Sequence, residues 1–147
     1  MSTIYDLLQQ DHDKVKKAFS KILETTDRAE KTRETVFAEI KHDLEVHTRF
    51  EEEVFYPRFR EAKADKEAKA EVKDALDEHA EAKEMLKKLD RMDKTSDDFI
   101  DKLQELQEAL EHHISDEEDE MFPQARKTLS PEIAEKMGKE YRQMKSQ

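Results

Sequence analysis

The sequence predicts an all-α protein, an antiparallel up-down-up-down four-helix bundle followed by a short C-terminal helix. The 147 residues include one Gly and three Pro, too few for the many tight turns of a β sandwich or barrel. Apolar residues recur at helical spacing through four segments joined by short connections, which makes neighbouring helices antiparallel. We expect a single domain over residues 1–147, with the bundle at about 3–127 and the last helix at about 131–145.

The composition leaves order in question until the apolar residues are placed. With 35% hydrophobic and 44% charged residues, the chain is close to disordered proteins in composition. The periodic placement of the apolar residues answers that concern. The net charge of −11 opposes binding to phosphate backbones, and the absence of Cys excludes thiolate sites and disulfides. We expect a cytoplasmic protein, a monomer or weak oligomer, with neither nucleic acid nor membrane as a partner.

The helix boundaries follow from capping residues. Predicted helices lie at about 3–25, 32–62, 66–92 and 96–127, with a fifth from 131. The residues that mark their starts are Thr3 with Asp6, Asp65, Thr95 with Asp98, and Ser130 with Pro131. Pro57 and Pro123 fall late in the second and fourth helices, where each removes a backbone hydrogen bond, so we expect a bend or an end there.

Six polar residues interrupt the apolar stripes: His12, His47, Glu51, His79, His113 and Glu117. The midpoint between each successive pair of histidines falls in a predicted loop, so all four should lie level inside an antiparallel bundle. Each glutamate follows a histidine by four residues and so points into the same layer. The halves also repeat, because HTRFEEEVFYP from His47 aligns without a gap on HISDEEDEMFP from His113.

Such a polar layer predicts a metal site. Burying two carboxylates without partners costs several kcal/mol each, so cations are expected. Imidazole and carboxylate ligands without thiolate suit iron, manganese or zinc, and two opposed carboxylates are placed to bridge two ions. We favour iron, with manganese or zinc as the alternative.

These residues resemble the pattern of the hemerythrin-like (HHE cation-binding) domain family over residues 1 to about 127. The pattern is His12, His47-x-x-x-Glu51, His79 and His113-x-x-x-Glu117, with Tyr56-Pro57 and Phe122-Pro123 trailing. The resemblance implies two iron ions joined by an oxo or hydroxo bridge and by Glu51 and Glu117. It also implies binding or sensing of dioxygen, peroxide or nitric oxide. Because family members differ by one position in the fourth helix, Glu118 is the alternative to Glu117.

One position departs from the oxygen carriers of this family. The oxygen carriers that this chain resembles have a second histidine in the third helix, four residues after the one that matches His79. Here that residue is Lys83. An ammonium repels metal cations, so we expect six protein ligands instead of seven, with a seventh recruited from another residue as the alternative. The missing histidine counts against reversible oxygen carriage. His42 and His112 lie off the stripes and should face solvent, with a place behind the metal ligands as the alternative for His112. Tyr5 and Tyr56 could donate hydrogen bonds to the site, but they are interpreted as packing residues.

Three classes of function stay open. The first is a di-iron binder or sensor of small ligands, which is not an enzyme. The second is an iron-handling protein or a di-iron enzyme with peroxidase-like or oxidase activity. The third is a metal-free helical interaction module whose polar layer sets only the register of the bundle.

Overall fold

The computed structural model describes residues 2–147, which are helical throughout apart from short connections. The α-helices are α1 (Ile4–Leu23), α2 (Glu30–Phe50), α3 (Tyr56–Lys63), α4 (Lys66–Arg91), α5 (Asp97–Asp116), α6 (Phe122–Thr128) and α7 (Pro131–Lys145). A π-helical turn, Glu51–Phe55, joins α2 to α3, and a second, Glu117–Met121, joins α5 to α6. The four long stretches therefore run over 4–23, 30–63, 66–91 and 97–128. The all-α bundle is confirmed, with ends within two residues of those predicted.

Most of the predicted caps are present. Thr3 and Asp6 form a reciprocal capping box at the start of α1, and Asp65 and Ser130 accept the capping hydrogen bonds of α4 and α7. Thr95 was the wrong residue for α5. Its hydroxyl donates to the Asp93 carboxylate at 2.6 Å, so the adjacent Ser96 caps the helix by accepting from the backbone N–H of Phe99.

The two late prolines do not end their helices. Instead, a wider turn precedes each one, because the Tyr56 N–H bonds the Glu51 carbonyl and the Phe122 N–H bonds the Glu117 carbonyl, five residues back. Such π turns add one residue to a helix and are frequent at functional sites. The added residue rotates the face that follows it. Phe55 is therefore buried, whereas Val54, which regular helical spacing from His47 and Glu51 would place in the core, is only half-buried.

The buried apolar residues form two clusters with the polar layer between them. One gathers around α3, α6 and α7 and contains Leu8; the other lies toward the α1–α2 and α4–α5 loops and contains Val15. His12 falls between these two residues on α1. The C-terminal helix α7 packs across α1 and α2, where the Tyr141 ring lies 4.7 Å from that of Phe50.

Gly138 permits the close approach of α7 to the start of α1. A Cβ at this position would stand 3.1 Å from the Ser2 carbonyl oxygen and 3.5 Å from the Ile4 nitrogen. Over residues 2–147, none of the helices combines the length and apolarity needed to cross a bilayer.

Candidate metal centre

The structure brings all six predicted site residues together in one buried layer. His12, His47, His79, His113, Glu51 and Glu117 are each at most 6% exposed. The rings of His12 and His47 have centroids 5.0 Å apart, and those of His79 and His113 are 4.8 Å apart. Each glutamate is the first residue of a π turn, so the irregular turns begin where the carboxylates enter the core.

Each of these carboxylates contacts histidines of both hairpins. Glu51 Oε1 lies 3.2 Å from Nε2 of His47 and 3.2 Å from Nε2 of His79. Glu117 places Oε1 3.3 Å from Nε2 of His12 and Oε2 3.3 Å from Nε2 of His113. The ligand atoms form two groups that share Glu117, and within each group all ligand atoms lie within 4.8 Å of one another. One group is Glu51, His79, His113 and Glu117; the other is His12, His47 and Glu117.

A ring of four further carboxylates surrounds this layer. Each contacts Nδ1 of a histidine on the next helix, and the pairs are Asp11 with His47 (3.0 Å), Glu52 with His79 (2.8 Å), Glu78 with His113 (2.8 Å) and Glu118 with His12 (2.6 Å). We did not predict this ring. The available signal was adjacency, since each acidic residue is the chain neighbour of a site residue. Glu118 thus lies behind His12, and Glu117 is the glutamate that turns inward.

The outer carboxylates determine which histidine nitrogen faces the site. Because a carboxylate only accepts, each Nδ1 carries a proton, which leaves Nε2 as the nitrogen that can present a lone pair to a cation in the interior. His12 Nε2 and Glu117 Oε1 are 3.3 Å apart but make no hydrogen bond, as expected for two acceptors. Glu51 Oε2 is also buried without a partner. These three buried acceptors without donors fit a bound cation.

The electrostatics of the protein without metal lead to the same conclusion. Burial opposes a charge on His47, but Glu51 and Asp11 outweigh it and raise the pKa of His47 to about 10. In the same way, Glu117 and Glu78 overcome burial and raise the pKa of His113 to about 11. The histidines hold the pKa of Glu117 well below its usual range despite its burial. Positive charge is therefore strongly favoured at this layer, as protons or as metal.

Tyr56 belongs to the site, and its interpretation as a packing residue was wrong. Its hydroxyl donates to Glu117 Oε2 at 2.6 Å and lies 3.2 Å from Nε2 of His79 and 3.4 Å from Nε2 of His113. Burial and the two nearby glutamates raise its pKa well above the usual value. The counterpart of Tyr56 in the sequence repeat is Phe122, whose ring is parallel to that of His12 with centroids 6.3 Å apart.

Three further side chains bond two of the outer carboxylates. On α7, the Tyr141 hydroxyl and Lys145 Nζ both bond Asp11. With His47, and against the effect of burial, they keep the pKa of Asp11 well below its ordinary value. Lys83 points away from the interior and bonds Glu52 at 2.8 and 3.0 Å. His42 and His112 are exposed, as predicted.

A cavity of about 150 Å³ lies against the histidine layer on one side. All four site histidines line it, but Glu51, Glu117 and Tyr56 do not. Because the two glutamates follow His47 and His113 by one turn, the carboxylates and the tyrosine cover the opposite side of the layer. A small molecule entering from solvent therefore meets the histidine side.

The fold and the donor set define a cation-binding helical bundle. The family described as Hemerythrin HHE cation binding domain matches residues 3–125. The chain belongs to this family.

Three known proteins are similar to the chain. A DNA nickase of Nostoc sp. is 30% identical over 97% of this chain and 39% of its own length. An uncharacterised hemerythrin-like protein of Schizosaccharomyces pombe is 33% identical over 99% of this chain and 70% of its own length. The crystal structure of a hemerythrin HHE cation binding domain-containing protein from Mycobacterium kansasii, an Rv2633c homolog, has a TM-score of 0.83. It is 24% identical, with 99% of this chain and 87% of that chain covered, and shows the shared fold.

Proposed function

We propose that the chain is a non-haem di-iron protein that binds or senses dioxygen, peroxide or nitric oxide. The observation that carries the proposal is the set of inward acceptors, four Nε2 atoms and two carboxylates, arranged as two ligand groups that share Glu117. When bound, a pair of iron ions supplies open coordination positions where small ligands can exchange or be reduced.

The protein residues have separate tasks in this proposal. His12, His47, His79, His113, Glu51 and Glu117 hold the ions, and the two glutamates are the groups that reach both hairpins. The outer carboxylates hold each Nδ1 proton and thereby orient the rings. The Tyr56 hydroxyl can hold a proton beside Glu117. The carboxylates and Tyr56 lie on the side of the layer opposite the cavity, so an exogenous ligand that enters through the cavity approaches the ions from the histidine side.

Metal analysis with optical spectroscopy tests the proposal directly. Protein purified from iron-replete cells should contain about two iron ions per chain, and the reduced form should gain near-ultraviolet absorption on exposure to air. Reversal of that change when oxygen is removed would indicate binding, whereas a permanent change would indicate oxidation. Protein that takes up no stoichiometric iron, but folds and melts normally, would support the metal-free interaction module instead.

The second candidate is a di-iron enzyme with peroxidase-like or oxidase activity. The cavity beside the histidines favours the enzyme, because it offers a co-substrate a route to the ions. Steady-state turnover of peroxide with an added electron donor would support the enzyme, and formation of a stable adduct without turnover would support the sensor or carrier.

The name of the Nostoc relative raises DNA as a substrate. We propose that DNA is not a partner of this chain, because its net charge of −11 opposes approach to phosphates. The chain also spans less than half of that relative. Nicking of supercoiled plasmid by the iron-loaded protein, lost in the His113→Ala variant, would contradict this.

A further inference from the structure

The cavity beside the histidine layer has an apolar floor built with one residue from each helix of the bundle. Val15 and Ala82 follow His12 and His79 by three residues, and Leu44 and Leu110 precede His47 and His113 by three. All four residues line the cavity, together with Leu86, one turn beyond Ala82, and Ile114, which directly follows His113. The apolar space therefore begins one helical turn from the histidines and extends away from the carboxylates.

The cavity exists because one of these four positions is small. The repeat pairs Leu44 with Leu110 and pairs Val15 with Ala82, so only Ala82 lacks a branched side chain. Lys83, the next residue, does not fill the space, because its ammonium is bound to Glu52 at the surface. The space beside Ala82 is therefore not filled by a side chain at position 82 or 83 and is open to a ligand.

The rim of the cavity selects against anions. Its exposed or half-buried acidic residues are Asp11, Asp43, Glu45, Glu78 and Glu81. The one lysine on the rim, Lys83, is already paired. An anionic molecule would meet this negative rim and then an apolar floor. The histidines in the wall do not offset this, because Nδ1 of each one is already paired with a carboxylate of the protein.

We propose that this cavity is a binding site for an uncharged apolar organic molecule of about the size of benzene. An aliphatic cavity of about 150 Å³ accepts benzene or xenon. The floor of this cavity is aliphatic, and its walls carry the histidines. Dioxygen, peroxide or nitric oxide would leave most of the volume of about 150 Å³ empty. A molecule that fills the space lies against the four histidines, next to any ligand at the ions.

Benzene binding to the metal-free chain tests this inference. In the presence of a chelator, calorimetry or chemical-shift titration should show one saturable site with a dissociation constant on the order of 1 mM. The melting temperature should rise as benzene is added. Benzoate, which has the same ring with a carboxylate, should bind at least tenfold more weakly. Absence of saturable benzene binding, or equal binding of benzoate, would overturn the proposal.

Substitutions that fill the cavity provide the structural control. Ala82→Leu should weaken benzene binding at least tenfold, whereas Ala80→Leu, the same change at an exposed position of α4, should leave it within twofold. If Ala82→Leu does not fold, Ala109→Leu reduces the same cavity from α5 and should have the same effect. A folded filling variant with unchanged affinity would refute this location.

The benzene-binding test can fail independently of the iron-binding test, because benzene binding needs no metal. A chain that binds benzene but never binds iron would retain the cavity site and lose the di-iron proposal. A chain that binds two iron ions but no benzene would do the reverse.

Discussion

The two hairpins supply equivalent ligands to the layer but surround them differently. His12, His47 and Glu51 of the first correspond to His79, His113 and Glu117 of the second. Tyr56, however, lies beside His79 and His113, whereas its counterpart Phe122 lies beside His12. One group of ligands therefore has a hydroxyl next to it and the other an aromatic ring. A repeated backbone thus provides two groups of candidate ligands that are chemically unequal.

The outer carboxylates differ in the same way. Asp11 and Glu78 are counterparts, each directly preceding a histidine and each bonding a histidine of the next helix. Asp11 is further held by Tyr141 and Lys145 of α7, and its side chain is 16% exposed against 30% for Glu78. The C-terminal helix α7 therefore supports the carboxylate behind His47 but not its counterpart behind His113.

The largest expected effect is the loss of a histidine from either hairpin. His47→Ala and His113→Ala should each weaken iron binding at least 100-fold and lower the melting temperature of the iron-loaded protein, because metal binding couples to folding. Iron per chain and calorimetric melting measure this. His42→Ala and His112→Ala, at exposed positions, are the matched controls. Iron content equal to the wild type in both buried variants would contradict ligation by these residues.

The next effect distinguishes the two outer carboxylates. Asp11→Asn should weaken metal binding by about 10- to 100-fold, the usual range for a group that orients a ligand. Glu78→Gln should have a smaller effect, because its more exposed carboxylate is partly replaced by water. Competition titrations with a metal indicator measure both affinities. An equal loss in the two variants would mean that the contacts from α7 do not strengthen the support of His47.

Removal of the Tyr56 hydroxyl tests the difference between the two ligand groups. In the metal-free protein, Tyr56→Phe should lower the free energy of unfolding by about 1–3 kcal/mol, because the buried Glu117 loses its neutral donor. Urea unfolding with a chelator present measures it. Tyr5→Phe is the control, since the Tyr5 hydroxyl is buried without a partner and its removal should cost nothing. Equal costs for the two variants would remove Tyr56 from the site.

The smallest effect, counted for each histidine and each pH unit, is the pH dependence of the metal-free protein. The pKa values of His47 and His113 are raised to about 10 and about 11 in the folded state, above the unfolded value of about 6.5. Their stabilising contribution is therefore complete below pH of about 6.5 and is lost as the pH rises through the folded pKa values. Between pH 7 and 9, the free energy of unfolding should fall by about 1 kcal/mol per pH unit for each histidine.

Urea unfolding at several pH values measures this slope. His113→Gln should roughly halve it, and His42→Gln should not change it. A free energy of unfolding that is constant from pH 7 to 9 would show that the two histidines are neutral in the folded protein without metal.

The helices and the six interior residues were predictable because both depend on local periodicity. An antiparallel pair of helices with a short loop has only one register, so the positions of His12 and His47 in the chain also determine their relative height. The capping residues were predictable for the same reason, with one exception. At the start of α5, Thr95 and Ser96 both have hydroxyls, and Ser96 is the cap because the Thr95 hydroxyl donates to Asp93.

Tyr56 was misinterpreted because a π turn precedes it. With regular α-helical geometry after Glu51, the face of position 56 differs from the observed one, and the extra residue of the turn rotates the tyrosine toward His79. The outer carboxylates were missed because acidic residues are common on the surface of this chain. By residue type, nothing distinguishes Asp11, Glu52, Glu78 and Glu118 from them.

By itself, the sequence determined the all-α class, the helix bounds and the layer of four histidines and two glutamates, because each follows from spacing along a single chain. The tertiary structure alone decided which carboxylate lies behind which histidine, because those pairs join different helices. It also decided that α7 supports Asp11 and that Ala82 leaves a cavity beside the histidines. Volumes and pairings between helices depend on how the faces pack together, and no pattern within one helix contains that information.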